Sequence, residues 1–317
     1  MKNISKTNFF IKIGVFTKMK DKTFLFRFQM NPQKHLIRSK SAPHLKRNHS
    51  YPKFEKLEDP ILEVSEGANM FLNAPKNRYY NVLPAKATRV PLKNLKNDYI
   101  NANFVADSWI ATQAPVKKSY RDFWKMIWDN QVSVIVMLTS LEENGVTKAS
   151  KYWKDAEYKY HSFETLDNTE IIIKIHLDKT IFLRSGKLNV ISLSKKGDTE
   201  EKTENRTIYH LQYSDWQDHE NPSSVEDIDH LINYMELFNS LPNELNGSIV
   251  VHCSAGVGRT GTFIACAIVK RLFYEKSKVD IQKIVNSLRQ HREKMVQTKE
   301  QYRFIFRYFE FLTAIRK

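Results

Sequence analysis

The stretch of sequence that decides the fold runs from Ser248 to Thr262 and reads Ser-Ile-Val-Val-His-Cys-Ser-Ala-Gly-Val-Gly-Arg-Thr-Gly-Thr. An apolar segment, typical of a strand, enters a glycine-rich turn that opens into a helical pattern bearing Phe263, Ile264, Ala267 and Leu272. Glycines accept the dihedrals that let successive backbone N–H groups point inward, and the positive end of the following helix faces the same place. The sequence therefore predicts a cradle for a dianionic phosphate.

Two residues of this cradle are candidates for the chemistry. A cysteine at the floor of an anion site is held as the thiolate, so Cys253 is the candidate nucleophile. Arg259 can grip two phosphate oxygens and stabilise the charge of the transition state. Alone, Cys253 would be interpreted as a buried small hydrophobe, but its spacing from His252, Arg259 and Thr260 favours the nucleophile. A nucleotide-binding P-loop is disfavoured, because it needs glycine where Cys253 stands and lysine where Arg259 stands.

These residues resemble the signature H-C-x-x-G-x-x-R-[ST] of cysteine-based phosphatases, and their full form resembles the classical, phosphotyrosine-specific branch of the protein tyrosine phosphatases. The resemblance implies hydrolysis of phosphotyrosine through a phosphocysteine on Cys253, with Arg259 as the phosphate clamp. It also implies that His252 supports the nucleophile and that Thr260 donates a hydrogen bond to the departing thiolate. It assigns phosphate binding to the loop residues Ser254, Ala255, Gly256, Val257 and Gly258.

A second segment, Asn77 to Pro84, reads Asn-Arg-Tyr-Tyr-Asn-Val-Leu-Pro and resembles the phosphotyrosine-recognition loop of the same family, usually N-R-Y-x-D-V-x-P. By that match Tyr79 lines a deep slot and stacks on the substrate ring, which excludes the shorter phosphoserine and phosphothreonine. Asn81 replaces an aspartate that accepts hydrogen bonds from the substrate backbone. Asn keeps one acceptor oxygen but loses the charge, so we expect altered affinity or orientation of a bound peptide.

A third segment, Tyr213 to His219, resembles the mobile Trp-Pro-Asp loop. Asp218 matches the acid that protonates the phenolic leaving group and later takes a proton from water, and Trp216 matches the hinge aromatic. Gln217 replaces the proline that would narrow the open ensemble of the loop. We therefore expect a functional but slower acid at Asp218, with Asp215 as the less favoured alternative.

Two further segments resemble supporting loops of the family. Glu143 would brace the signature arginine and Lys148 would lie at the rim of the pocket, although a solvated charged turn explains this pair about equally well. Gln297 would position the water that breaks down the phosphocysteine. Gln301 has two open interpretations, because it forms a capping box with Thr298 in sequence and also matches a catalytic helper.

The fold class expected from the alternation of elements is α/β, a single domain with a twisted mixed sheet and helices on both faces. Predicted strands cover Val132 to Leu138, Ile171 to Leu177 and Thr207 to Tyr213, with Ile181 to Leu193 folding back between the last two. Predicted helices cover Tyr120 to Asp129, Val225 to Phe238 and Lys299 to Ile315, the first two opened by capping pairs at Ser119/Asp122 and Ser224/Asp227.

Charge and composition separate an N-terminal extension from this domain. Twelve Lys or Arg and one acidic residue fall within residues 1–50, so that segment carries +11 of the formal net charge of +15. We assign 1–52 to a basic, flexible extension and 53–317 to the catalytic domain. The composition of the extension indicates no specific nucleic-acid site. Its positive charge is compatible with weak contact with acidic membranes. Phosphorylated Ser41, within Arg38 to Pro43, has the form of a 14-3-3 docking site, although a solvated tail is the commoner explanation.

The resemblance covers roughly residues 53–317 and implies an enzyme that acts on phosphotyrosine proteins without a metal or organic cofactor. The two cysteines are too few for a disulfide framework and suit a reducing compartment, so we expect a cytoplasmic protein. We also expect it to be a monomer. The Gln113-Ala114-Pro115 variant and the altered acid loop resemble phosphatases of bracoviruses, which would act in host insect immune cells. The leading alternative is a pseudophosphatase that binds phosphotyrosine proteins without turnover. It is favoured by Asn81, Gln217 and Glu220 and opposed by the intact Cys253, Arg259, Asp218 and Gln297. A lipid or dual-specificity phosphatase ranks third.

Overall fold

A mixed β-sheet forms the centre of the compact unit Tyr51–Lys317. The computed structural model describes residues 51–106, 108–196, 203–218, 220–241 and 247–316, so Ser41 and residues 1–50 of the predicted extension lie outside the described residues. Within these ranges the strands are β1 Ala102–Val105, β2 Trp109–Thr112, β3 Val134–Met137, β4 Glu142–Glu143, β5 Val146–Thr147, β6 Ala156–Tyr160, β7 Ile171–Leu183, β8 Gly186–Lys196, β9 Thr203–Gln212 and β10 Ile249–His252. Eight of them form one sheet in the order β1-β2-β10-β3-β9-β8-β7-β6, and β4 and β5 form a separate hairpin.

The four central strands run parallel, and this arrangement gathers the functional loops. β10 pairs in parallel with β2 and β3, and β3 pairs in parallel with β9. All four residues of β10 are buried, as expected of a parallel strand covered on both faces. Loops that follow the carboxyl ends of parallel strands meet at one edge of the sheet, where open α/β sheets bind their ligands. The loops after β2, β3, β9 and β10 therefore converge.

Helices cover both faces of the sheet, as the sequence predicts. They are α1 Tyr120–Asp129, α2 Val225–Asn239, α3 Gly258–Tyr274, α4 Ile281–His291 and α5 Lys299–Ile315. Alternate residues of β10 enter different cores: Val251 packs in the cluster built by α2 to α5, and Val250 packs in the cluster that contains α1. In the described part of the chain, no helix is both long enough and apolar enough to span a bilayer.

The predicted helix bounds match well, but three strand predictions and one cap need correction. The strand predicted from Thr207 to Tyr213 is β9, which begins earlier, at Thr203. Helices α1 and α5 have the predicted limits. β7 continues past the predicted end at Leu177, where the charged Asp178 and Lys179 interrupt the apolar pattern of the sequence. The alternation of more and less buried residues continues to Leu183, although the register of pairing with β8 shifts between Leu177 and Lys179. Residues 181–183 consequently end β7, and β8 begins only at Gly186. Ser119 does not cap α1: its hydroxyl exchanges hydrogen bonds with the backbone of Val116 instead.

We predict that Ser224→Ala lowers the free energy of unfolding by about 1 kcal/mol. Ser224 Oγ accepts a hydrogen bond of 2.9 Å from the Asp227 N–H at the start of α2, and alanine leaves this donor without its partner. Urea unfolding of both proteins measures the difference. The exposed Ser162→Ala is the matched control and should leave stability unchanged. Equal effects of the two substitutions would contradict the assigned cap.

Candidate active site

The turn between β10 and α3 holds Cys253 at the floor of a backbone cradle. Cys253 is 4% exposed, and its Sγ accepts a hydrogen bond of 3.3 Å from the Gly256 N–H. Gly256 has φ of +75°, and a Cβ at this position would overlap the carbonyl oxygen of Thr112. Only glycine meets both conditions. The turn is therefore fixed by the close approach of β2 as well as by its own dihedrals.

Arg292 directs the backbone N–H groups of the cradle inward, and none of the motifs in the sequence points to this residue. Its Nη2 and Nε donate to the carbonyl oxygens of Ala255 and Gly256 at 3.1 and 2.9 Å. A trans peptide points its N–H away from its C=O, so the N–H groups of Gly256 and Val257 face the thiol side. Burial lowers the pKa of Arg292 to about 10, so the side chain remains charged at neutral pH. The Oδ1 atoms of Asn101 and Asn103 accept its remaining hydrogen bonds.

The predicted phosphate clamp, Arg259, is fully buried in the first turn of α3. One nitrogen, Nη1, donates to Glu143 Oε1 and to the carbonyl oxygen of Trp216, both at 2.6 Å. Nε and Nη2 form no hydrogen bond with any described residue. Burial lowers the pKa of the Arg259 guanidinium, but Cys253, Glu143 and Asp218 outweigh that effect and raise it above its ordinary value. The guanidinium is thus braced through Nη1, while Nη2 forms an ion pair with Asp218 but no hydrogen bond.

The acid loop after β9 lies against this clamp. Asp218 Oδ1 is 3.4 Å from Arg259 Nη2, and Asp218 Oδ2 accepts a hydrogen bond of 2.8 Å from Lys148 Nζ. The backbone N–H of Asp218 donates to Glu143 Oε2 at 3.2 Å. The hydrogen bond to Asp218 raises the pKa of Lys148. Glu143 and Lys148 therefore both lie at the site, which favours this interpretation of the pair over a solvated charged turn.

The surroundings of the other residues in this loop distinguish between the two candidate acids, Asp218 and Asp215. Trp216 is fully buried, and its indole N–H donates to the carbonyl oxygen of Glu220 at 2.7 Å. Gln217 is exposed, so its side chain does not pack in the site. Asp215 is also exposed, and the carboxylate next to Arg259 belongs to Asp218. The arrangement favours Asp218 over Asp215.

A short hairpin positions Glu143 and Lys148. It pairs β4 with β5, and its turn consists of Asn144 and Gly145 with φ of +51° and +74°. Two left-handed residues are what a tight two-residue hairpin requires, which explains the Asn-Gly sequence. Thr139 Oγ1 donates to Glu143 Oε1 at 2.9 Å and fixes the carboxylate that braces the clamp.

Tyr79 reaches the cradle through Ser254. The two hydroxyl oxygens are 2.8 Å apart, and Ser254 Oγ donates its single proton to the carbonyl oxygen of Lys148. The Tyr79 hydroxyl must therefore be the donor to Ser254. The half-buried Tyr79 stands at the edge of the cradle, held by Arg78, whose Nε donates to the carbonyl oxygen of Ala114 at 2.9 Å. Asn81 is exposed.

The two glutamines flank the start of α3. Gln301 Oε1 accepts hydrogen bonds from the backbone N–H groups of Gln297 and Thr298 at 2.9 and 3.4 Å, and Thr298 Oγ1 accepts from the Gln301 N–H. The capping box of α5 is thus formed. A Cβ on Gly258 would lie 3.1 Å from Gln297 Oε1 and 3.0 Å from Gln301 Oε1. Both side chains consequently reach the rim of the cradle, and Gln297 is the exposed one.

His252 belongs to a buried hydrogen-bond relay. The donor and acceptor of each bond in the relay follow from the Cys253 carbonyl oxygen, which can only accept. His252 Nδ1 lies 2.9 Å from the Cys253 carbonyl oxygen and must donate to it. Burial lowers the pKa of His252 to about 4, so neutral His252 accepts through Nε2 from the Tyr152 hydroxyl. The Tyr152 oxygen then accepts from Nε2 of His210, and Nδ1 of His210 accepts from Asn189. Each neutral imidazole thus has a single tautomer.

Thr260 and Cys266 are two further buried side chains of α3. Thr260 Oγ1 is buried and forms no hydrogen bond with any described residue, which leaves its hydroxyl available. The second cysteine, Cys266, is fully buried in the core, and burial raises the pKa of its thiol. Across the described ranges, no group of three or more His, Cys, Asp or Glu side chains is placed to hold a metal ion.

Comparisons with known proteins identify relatives of this arrangement. The family model described as protein-tyrosine phosphatase matches residues 73–310. Tyrosine-protein phosphatase 3 of Dictyostelium discoideum is 34% identical over 301 residues, which are 88% of this chain and 29% of that protein. Tyrosine-protein phosphatase Lar-like of Caenorhabditis elegans is 37% identical over 262 residues, 80% of this chain and 11% of the relative.

Two other matches cover most of both proteins. Tyrosine-protein phosphatase non-receptor type 7 of Mus musculus is 34% identical over 273 residues, 81% of this chain and 71% of the relative. A solved structure, described as the structural basis of the PTPN18 fingerprint on distinct HER2 tyrosine phosphorylation sites, aligns with a TM-score of 0.66 and 30% identity over 78% of this chain and 86% of that one. The chain spans less than a third of the first curated relatives that it matches.

The buried histidines predict how stability depends on pH. An unfolded histidine takes up a proton near its ordinary pKa of 6.5, whereas burial keeps His252 and His210 neutral down to about 4 and about 3. The unfolded state therefore binds more protons below pH 6.5. We expect the free energy of unfolding to fall as pH is lowered from 6.5 towards 4, by up to about 1.4 kcal/mol per pH unit for each histidine.

Urea unfolding between pH 7 and pH 4.5 measures this dependence. His210→Gln removes one titrating group and keeps a donor for Tyr152, so its pH dependence should be shallower than that of the wild type. His161→Gln, at an exposed histidine, is the matched control and should keep the wild-type slope. Identical slopes for all three proteins would contradict the assignment of the relay as neutral.

Proposed function

We propose that this chain, which belongs to the protein-tyrosine phosphatase family, hydrolyses phosphotyrosine in proteins through a phosphocysteine intermediate. The observation that carries the proposal is the buried Arg259, whose Nε and Nη2 form no hydrogen bond with any described residue although Glu143 and Trp216 hold its other nitrogen. Buried donors without partners are rare and unfavourable. Two phosphate oxygens would satisfy both donors in a bidentate pair.

In the first step the Cys253 thiolate attacks phosphorus. An S–P bond forms while the bond between phosphorus and the tyrosine oxygen breaks, and the Asp218 carboxyl group gives its proton to the departing oxygen. The inward N–H groups of the cradle and the guanidinium of Arg259 hold the phosphoryl oxygens as charge builds on them. The position of Asp218 beside Arg259 supports this role.

In the second step water releases phosphate. The water oxygen bonds to phosphorus as the S–P bond breaks, its proton passes to the Asp218 carboxylate, and the sulfur leaves as thiolate. Gln297, at the rim of the cradle, orients the water, while Gln301 holds the Gln297 backbone. Thr260 Oγ1 is available to donate to the departing thiolate.

Tyr79 supports selectivity for phosphotyrosine. Its ring stands at the edge of the cradle, anchored through Ser254, and defines the depth of the entrance. A phosphoserine is too short to bring its phosphate to Cys253 past this ring. We assign contact with the substrate backbone to Asn81, which is exposed and offers an amide where a carboxylate is expected.

The finer assignment to the bracovirus phosphatases is also a proposal. It is supported by the Gln113-Ala114-Pro115 sequence and by Gln217 in the acid loop. On that assignment the enzyme acts in the cytoplasm of host insect cells on phosphotyrosine signalling. A phylogeny that places this chain outside the bracovirus phosphatases would remove this part of the proposal and leave the activity untouched.

We predict that the wild type hydrolyses a phosphotyrosine peptide, that Cys253→Ser abolishes turnover, and that Asp218→Ala lowers kcat by roughly 10²–10⁴-fold. The reasons are the loss of the only sulfur in the cradle and the loss of the proton donor. Steady-state release of phosphate measures all three proteins. Asp215→Ala removes an exposed carboxylate from the same loop and is the matched control, expected to keep the wild-type rate.

Three outcomes would contradict the proposal in different ways. Tight peptide binding without turnover by the wild type would identify a pseudophosphatase. Equal rates on phosphoserine and phosphotyrosine peptides would identify a dual-specificity enzyme. A loss of activity in Asp215→Ala and not in Asp218→Ala would show that the general acid is Asp215.

A further inference from the structure

We infer that Arg289 is a positioning residue for the second step, because it holds the strained turn that presents Gln297. The inference rests on the proposed function and adds a residue that acts through another. Arg289 lies on α4, outside every motif that carries the family resemblance. Its side chain is only 7% exposed.

The turn that leads to Gln297 needs external support. Lys294 and Val296 have φ of +59° and +60°, in the left-handed region. A β-branched residue such as valine is a genuine outlier there, at a cost of about 1–3 kcal/mol. Such a conformation persists only where surrounding contacts hold it. The contacts around residues 294–297 should therefore include the element that holds Gln297 in place.

Arg289 supplies these contacts through its guanidinium. Nε donates to the Met295 carbonyl oxygen and Nη2 to the Val296 carbonyl oxygen, each at 3.0 Å. Nη1 donates to the Glu58 carbonyl oxygen, also at 3.0 Å, which ties the group to the segment before β1. Three nitrogens of one rigid planar group thus bond three carbonyl oxygens. No single lysine can reproduce this arrangement.

The turn is coupled directly to the cradle. The Val296 N–H donates to the Val257 carbonyl oxygen at 3.3 Å. A Cβ on Gly261 would lie 2.6 Å from the Val296 nitrogen, so α3 and the turn are in close contact. A relaxation of Val296 would therefore move Gln297 relative to the cradle. Displacements of about 1 Å at a positioning group can reduce rates by about 10²-fold.

The two chemical steps depend differently on this turn. Formation of the phosphocysteine uses Cys253, Arg259 and Asp218, and none of the hydrogen bonds formed by Arg289 reaches them. Hydrolysis of the phosphocysteine needs a water held by Gln297. Loss of Arg289 should accordingly slow the breakdown of the intermediate and spare its formation.

The test is pre-steady-state hydrolysis of a chromogenic aryl phosphate by the wild type and Arg289→Met. We expect Arg289→Met to release a burst of phenol approaching one per active site, with kcat lowered by on the order of tenfold and kcat/KM changed by less than about twofold. This split follows because kcat/KM reports the steps up to phosphocysteine formation. Arg289→Lys, which can bond one carbonyl oxygen, should give an intermediate kcat and provides a folded variant if the methionine variant does not fold.

Two further variants test whether the kinetic effect of Arg289→Met is specific to Arg289 and acts through Gln297. Arg206→Met removes a partly buried arginine that also donates to a backbone carbonyl oxygen, that of Trp128 at 2.7 Å, and should show neither burst nor lowered kcat. Gln297→Ala should show the same burst, and adding Arg289→Met to it should lower kcat no further. Parallel falls in kcat and kcat/KM for both Arg289 variants, without a burst, would show a purely structural arginine and overturn the inference. No turnover by the wild type would instead refute the proposed function.

Discussion

The buried charge of Arg259 is the constraint on which the rest of the site depends. An ion removed from water costs several kcal/mol, and nearby charges and hydrogen-bond acceptors offset part of that cost. Here the partners, Glu143 and the carbonyl oxygen of Trp216, come from the hairpin after β3 and from the loop after β9. Pairing the guanidinium therefore draws both loops to the cradle. Asp218 is carried to the clamp by the same interaction, since its backbone N–H donates to Glu143.

Two more buried arginines extend this principle to the backbone. Arg292 bonds the carbonyl oxygens of the cradle, and Arg289 bonds those of the turn before Gln297. In both places the bonded segment contains a residue with positive φ, Gly256 or Val296. At Val296 the guanidinium holds a backbone conformation that a valine disfavours, and at Gly256 it fixes one of the conformations that a glycine allows. The result is a rigid, electropositive site in which N–H groups are directed at one point, as binding of a phosphate dianion requires.

Local patterns predicted the parts of the structure that depend on neighbours in sequence. The strand–turn–helix around Cys253 and the bounds of α1 and α5 were recognisable in this way, whereas the loop bearing Asp218 was identified by its resemblance to the family. The capping box of Thr298 and Gln301 was visible as one of two interpretations, and the structure shows its hydrogen bonds. Arg292 and the pairing of Tyr152 with His210 were not predictable, because each acts across elements far apart in the chain. Arg289 bonds a turn that is close in sequence, but no local pattern indicates that its side chain folds back onto the carbonyl oxygens of Met295 and Val296. The length of β7 was hidden for a different reason, since the charged Asp178 and Lys179 interrupt the apolar pattern of the strand.

The central claim is that Cys253 accepts the phosphoryl group and water then removes it. Rapid acid quenching of the wild type with a radiolabelled phosphotyrosine peptide tests this most directly. The account predicts a covalent label on the peptide that contains Cys253, appearing before free phosphate and disappearing at the rate of turnover. Turnover without label on Cys253, or turnover that survives Cys253→Ala, would contradict it.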